Sequence, residues 1–147
     1  MALPQADPPT LRLHSLPTWL LSRSAGRARR LLGDGFAAAG AHGYHYRVLA
    51  TLQDLGPASQ ATLGKRAELD RSDVVAALDE LEADSLVERS PDPDDGRRKI
   101  VTITAAGKRR LRKLDVVVAA AQDQLLAPLS EPERADLIRL LARVAGR

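Results

Sequence analysis

DRSDVVAALDELEADSLVERSPDPDDGRRKIVTITAAG, residues 70–107, is the stretch on which the fold turns. Asp70 suits a helix N-cap, and Asp73 follows three residues later, where a carboxylate reaches back to free backbone N–H groups. Val74, Ala77, Leu78 and Leu81 recur at helical spacing and predict a buried face, leaving Arg71, Ser72, Val75, Ala76 and Asp79 outward. Leu86-Val87-Glu88-Arg89 and Ile100-Val101-Thr102-Ile103-Thr104 are β-favouring runs. Between them Ser90-Pro-Asp-Pro-Asp-Asp-Gly-Arg-Arg-Lys99 reads as a charged turn. A helix that presents side chains, followed by a hairpin with a basic tip, is the arrangement with which a winged helix-turn-helix holds duplex DNA.

Outward from this stretch the chain reads as helices. Upstream, Ser59 caps a short helix from Gln60 to Arg66 with Leu63 and Ala67 inward, so this helix and the Asp70 helix form the helix-turn-helix pair. Tyr44 to Leu55 is another helix, closed by Gly56-Pro57, and Thr18 to Ala39 a long one weakened by Gly33 and Gly35. Downstream, Thr104-Ala-Ala-Gly107 opens a helix to about Ala127, basic at its start and apolar from Val116. Pro128 breaks that helix, and Ser130 with Glu133 forms a capping box for a last amphipathic helix.

The fold class is therefore mostly α with a small β-hairpin wing. It divides into an N-terminal arm (1–15), an N-terminal helix (16–40), a winged helix-turn-helix core (41–107) and C-terminal helices (108–147). Both end regions carry apolar surface that one winged domain does not need, and pairing with a second copy as a homodimer is the expected use. An intrachain bundle in a monomer is the alternative.

The totals narrow the function. A chain of 147 residues fits one domain, and 3% aromatic residues require a core of Leu, Val and Ala. A net charge of +3 and a pI near 9.7 suit a polyanionic partner such as double-stranded DNA. The sequence has no Cys, which excludes disulfides, thiolate catalysis and Cys-based zinc sites. No Gly-rich phosphate loop, nucleophile elbow or metal-ligand set is present, so neither an enzyme nor a cofactor is expected. No apolar run approaches the ~18–20 residues of a membrane span, and Met1 to Pro9 does not resemble a secretion signal, so a cytoplasmic location is expected.

The wing and helix pair resemble the MarR family of bacterial transcription regulators over roughly residues 16 to 145. In that family's wing an Asp and an Arg two places on are followed by a strand ending in Leu-Thr-x-x-Gly. Asp95 and Arg97 take those two places here, and Ile103-Thr104 replaces Leu-Thr before Gly107. Leu63-Gly-Lys-Arg66 to Arg71-Ser72, then Leu81-Glu82, resembles the family's helix-turn-helix. The resemblance implies a homodimer, a pseudo-palindromic operator and release of DNA by a small aromatic or phenolic effector. It points to a repressor with a recognition helix at about 71–84 in the major groove and a wing at about 90–99 at the minor groove.

Each candidate contact has a plainer reading beside it. Arg97 enters a narrow minor groove, or is a solvated hairpin charge tied to Asp95. Arg98 and Lys99 touch phosphates or only keep the surface soluble. Arg71 and Ser72 start the recognition helix, where Arg pairs with guanine and Val75 packs on a thymine methyl, with Ala76 beside them. The alternative for Arg71 is an ion pair with Asp70 or Asp73. Ser59, Gln60 and Thr62 donate to phosphate at a helix start, or Ser59 merely caps.

Residues 67 to 85 depart from the family: they hold one basic side chain, Arg71, against seven acidic ones, and Ala76 and Glu80 stand where basic residues are common. Residues 86 to 113 offset this with nine basic and four acidic side chains, leaving Asp73 and Asp79 to cap or to reject wrong bases. The alternative function is a protein-interaction winged-helix module docking a basic partner through its acidic helix.

Trp19 and Arg23, one helical turn apart, together with Tyr44, His45, Tyr46 and Arg47, are the candidate pocket for a phenolic or carboxylate effector; ordinary core aromatics and salt bridges are the plainer reading. Asp92-Pro-Asp-Asp-Gly96 fails as a calcium loop because position five is Gly96 and position twelve Ile103. His14, His42 and His45 are too scattered for a metal set.

Overall fold

The computed structural model describes residues 11–147. The described residues form six α-helices: α1 (Pro17–Ala38), α2 (Gly43–Leu55), α3 (Gln60–Ala67), α4 (Arg71–Ala83), α5 (Ala105–Leu125) and α6 (Glu131–Val144). Strands β1 (Ala58–Ser59), β2 (Val87–Pro91) and β3 (Lys99–Ile103) form an antiparallel sheet in the order β1-β3-β2. Of the arm expected over 1–15, residues 1–10 lie outside the described residues. Arg12–Ser15 form a 3-10 turn, and the His14 ring stacks at 6.4 Å from Trp19.

The wing is a three-stranded sheet rather than an isolated hairpin. Gly56, at φ 79° and ψ −167°, turns the chain sharply out of α2, and Ala58 then pairs with Val101 while Ser59 pairs with Ile100. A two-residue strand is too short to show a period in sequence, and here it ties α3 to the wing.

The core lies among α2, α3, α4, the sheet and the first half of α5. Leu49, Leu52, Leu63, Leu78, Leu81, Val87, Val101 and Leu114 are fully buried there, with Phe36 from α1 beside them. The inward face of α4 is the expected one: Val74, Ala77, Leu78 and Leu81. Burying a side chain of this size contributes about 1.5–3 kcal/mol, and these residues give α2 to α4, the sheet and the start of α5, together the reading head, a substantial core.

Two close approaches fix the geometry. A Cβ on Gly107 would lie 2.1 Å from the Leu86 carbonyl oxygen, so only glycine lets α5 start against the strand entry. Thr104 accepts from the Gly107 amide at 3.0 Å and donates its hydroxyl to the Ser85 carbonyl at 2.7 Å. The Thr-x-x-Gly motif is thus a cap and a contact at once. Gly33 and Gly35 do not interrupt α1, because a Cβ on Gly35 would sit 2.8 Å from Val117 Cγ1 and glycine admits α5 to that distance. Arg110 donates to the carbonyls of Ala39 (3.1 Å) and Gly40 (3.0 Å), and Arg27 to that of Gln124 (3.2 Å), so α1 and α5 run antiparallel.

The ends of the chain contrast with the core. α6 has the expected capping box at Ser130 and Glu133 but no buried residue. Val116, Ile138 and Val144 are 70%, 65% and 69% exposed, and Leu11, Leu13, Leu16, Leu20 and Leu21 are exposed at the other end.

Candidate nucleic-acid interface

Local capping sets the directions of α3 and α4. Ser59 Oγ accepts from the Thr62 amide at 3.1 Å and donates to Thr62 Oγ1 at 3.0 Å. Asp70, not Asp73, carries the α4 cap: its Oδ1 accepts from the Asp73 amide at 2.9 Å and from the Ser72 hydroxyl at 2.8 Å. The amide of Asp73 foremost, and the Ser72 hydroxyl, hold the Asp70 carboxyl below its usual range. The turn between the helices passes through Glu68 in the left-handed region, at φ 55° and ψ 46°. Arg47 holds that turn by donating to the carbonyls of Ala67 and of Glu68, the latter at 2.8 Å.

The wing tip is a chain of turns. The Asp92 amide donates to the Arg98 carbonyl at 3.0 Å, and the Arg98 amide to the Asp95 carbonyl at 2.9 Å. Asp95 Oδ1 accepts from the Arg97 amide at 3.1 Å and from Arg97 Nε at 3.3 Å. The carboxylate therefore aims a guanidinium that is itself 93% exposed. Arg98 lies farther from Asp95, at 4.0 Å.

These parts converge. Ser59, Gln60 and Thr62 from the start of α3, Arg71 and Val75 from α4, and Arg97, Arg98 and Lys99 from the wing line one open groove of about 610 Å³. Ser72 and Ala76 face an adjoining concavity on the outer side of α4, with Asp70, Arg71, Val75 and Asp79. Lys65, in the middle of α3, also lines the groove and was not among the expected residues.

The acidity of residues 67 to 85 is answered inside the chain, chiefly by Arg89 on β2. Its Nη2 donates to Asp79 Oδ1 at 2.7 Å and to Glu82 Oε1 at 3.0 Å; its Nε and its amide donate to Glu82 Oε2 at 3.3 and 3.0 Å. Its Nη1 reaches Gln60 Oε1 at 3.5 Å. The Arg89 hydrogen bonds hold the Glu82 carboxyl below its usual range, and the same contacts raise the Arg89 guanidinium. Glu80 pairs with His45 Nε2 at 2.6 Å and Glu68 with Arg147 at 3.0 Å. Asp79 is therefore engaged by Arg89. Arg89 and Arg110, counted above as attraction for phosphate, are committed to protein partners.

The six residues grouped as an effector pocket fall into two sets. Trp19 lies seventeen residues before Phe36 on one continuous helix, about 25 Å along its axis. Tyr46 packs on Phe36 at 5.7 Å between ring centres and donates to Asp115 Oδ1 at 3.0 Å; burial foremost, and Asp115, raise its phenol. Tyr44 tilts against His42 at 4.7 Å, His45 holds Glu80, and Arg47 caps α3, so these four serve the head. Trp19 and Arg23 stay together, with the guanidinium 6.0 Å from the ring centre. Among the described residues Trp19 Nε1 is buried without an acceptor. Among the described residues no cluster of His, Asp and Glu is arranged to hold a metal ion, and no helix is long and apolar enough to cross a membrane.

Residues 44–99, which contain α2 through the wing, match the family model described as the MarR family. The chain is 32% identical over 97 residues to the HTH-type transcriptional repressor NicR of Pseudomonas putida; the match covers 66% of this chain and spans 61% of that relative's length. The crystal structure of the PcaV transcriptional regulator of Streptomyces coelicolor, in complex with its natural ligand, is 32% identical. It superposes with a TM-score of 0.78, covering 93% of this chain and 96% of that one. A MarR variant from E. coli complexed with operator DNA is 25% identical, with a TM-score of 0.75 and coverage of 85% and 90%.

Proposed function

The chain belongs to the MarR family of transcription regulators rather than to an enzyme class, and from that premise we propose that it is a homodimeric repressor of a pseudo-palindromic operator. The observation that carries this is the single groove shared by the α3 start, the α4 start and the wing tip. α4 enters the major groove, with Arg71, Ser72, Val75 and Ala76 toward the bases. Arg97, aimed by Asp95, enters the minor groove, and Ser59, Gln60, Thr62, Arg98 and Lys99 approach phosphates. Exposed apolar side chains on α5, α6 and residues 11–21 support pairing of two copies through the four-part organisation's outer segments. A protein-docking role for the acidic helix is the weaker assignment, because Arg89 already pairs with Asp79 and Glu82, and Glu80 is held against His45.

A small aromatic anion as effector belongs at the Trp19–Arg23 end of α1, where a buried indole N–H beside a guanidinium has no acceptor among the described residues. Around Tyr44 to Arg47, by contrast, Tyr46 already donates to Asp115, His45 pairs with Glu80, and Arg47 donates to the Ala67 and Glu68 carbonyls.

The test is a salt titration of binding to duplex DNA with the parent and Arg97→Ala. Affinity is expected to fall steeply with salt, and Arg97→Ala to cost on the order of 1–3 kcal/mol on all sequences. Binding that ignores salt, or an unchanged Arg97→Ala, refutes the wing and phosphate assignments.

A further inference from the structure

The outer face of α4 offers the bases few hydrogen-bonding groups. The Ser72 hydroxyl is given to Asp70 at 2.8 Å, and Asp70 itself is spent on the helix cap. Asp79 and Glu82 are held by Arg89, and Glu80 by His45 on the far flank of the same helix. Beside the engaged Asp70, Ser72 and Asp79, the concavity on this face is lined by Arg71 and by the aliphatic carbons of Val75 and Ala76. Val75 is half-buried and Ala76 exposed, so both have carbon surface available to a ligand.

In the major groove the feature an aliphatic surface recognises is the 5-methyl group of thymine. The competing possibility for an acidic helix is a carboxylate accepting from the cytosine 4-amino group. At Asp79 that acceptor already receives a charged donor at 2.7 Å. We propose that Val75 and Ala76 read thymine methyl groups, so that each half-site is specified by thymines flanking one Arg71 contact rather than by hydrogen bonds from the second half of α4. This rests on the DNA-binding function above and names what α4 detects in that DNA. Arg89 is a positioning residue for it, since it draws two carboxylates of α4 back toward β2 and leaves the aliphatic patch as the approach surface.

The experiment uses the full chain to select duplexes from a random-sequence pool. Each thymine of the selected half-site is then replaced by deoxyuridine, which removes the methyl group and leaves every pairing and hydrogen-bonding group in place. Loss of about fourfold in affinity is expected per contacted methyl, the ratio that burial of one such group corresponds to. Val75→Ala and Val75→Thr should each bind the thymine duplex more weakly and lose discrimination between thymine and uracil at that position; the second keeps the side chain's shape if the first disturbs packing. Equal affinity of the parent for thymine and uracil duplexes overturns the proposal. So does selection of cytosine at the α4 positions with a preference that disappears in Asp79→Asn. Failure to select any duplex above background removes the DNA-binding function as well, an outcome distinct from selection without uracil sensitivity.

Discussion

Leu49, Leu63, Leu78, Leu81, Val87 and Val101 are fully buried between α2 and β3, whereas α6 has no buried residue and leaves Ile138 and Val144 largely exposed. The carboxylates of the head are also largely engaged. Around α4, five of the seven carboxylates between residues 67 and 85 have a named partner or a capping role. On α6 Arg139 pairs with Asp136 at 3.5 Å, and Arg134 ties the helix back to Asp123 of α5 at 3.0 Å. The reading head is satisfied by its own chain, and the outer helices are not. In the proposed dimer this difference separates what one copy does alone from what needs two.

The strongest way to break this contrast is to remove residues 128–147. The head should keep its helical signal and a cooperative melt, while sedimentation shows loss of the twofold species. Operator affinity should fall by about two to four orders of magnitude, the usual worth of linking two binding modules. A truncated chain with parental operator affinity would mean that the outer helices do not pair copies.

Gly107→Ala strikes the head instead. Its new methyl would meet the Leu86 carbonyl at 2.1 Å, a backbone atom that cannot swing aside. A destabilisation of about 3 kcal/mol is expected in urea titrations, at the upper end of ordinary overpacking. Gly96→Ala, with open space around it, is the control and should be near neutral.

The smallest effect sharpens the contrast through pH. Asp70 in the head and Glu133 in the outer region both have carboxyls lowered by amides at a helix start, Asp73 and Ser130 respectively being the main cause. A lowered carboxyl stabilises the fold above its ordinary value and loses that contribution as pH falls through its folded-state value. For Asp70 the ordinary value is 3.8, so the loss falls below that pH. Asp70→Asn, which keeps an acceptor but cannot titrate, should flatten the acid limb of the head's unfolding curve. Glu133→Gln should leave the head's curve alone and change only the pH dependence of association.

Features governed by neighbours in sequence were legible before the structure. The caps at Ser59, Asp70, Thr104 and Ser130 obey rules that span three residues, and the burial of Val74, Ala77, Leu78 and Leu81 follows from one helical period. Arg89 was not legible as the partner of Asp79 and Glu82, because strand pairing, not spacing, brings β2 beside α4. The separation of the six effector-pocket residues within one copy was not legible for a related reason. Trp19 and Tyr46 both sit near α1, but at opposite ends of a helix whose length was known and whose direction against α2 was not. Gly35 looked like a weakness until Val117 was seen across from it.

The antiparallel packing of α1 on α5 has a mechanical consequence. Two helices locked at Gly35–Val117, Arg110–Gly40 and Arg27–Gln124 bend far less readily than one, so α5 behaves as a stiff arm carrying the wing at one end. Its 21 residues make that arm about 32 Å long. A tilt of about 5° at the Leu125 end carries Ala105 through roughly 3 Å, close to the ~3.4 Å step between base pairs along one strand. An angular change too small to disturb any single side-chain contact at the base is therefore geared up, at the tip, into a whole step of the double helix.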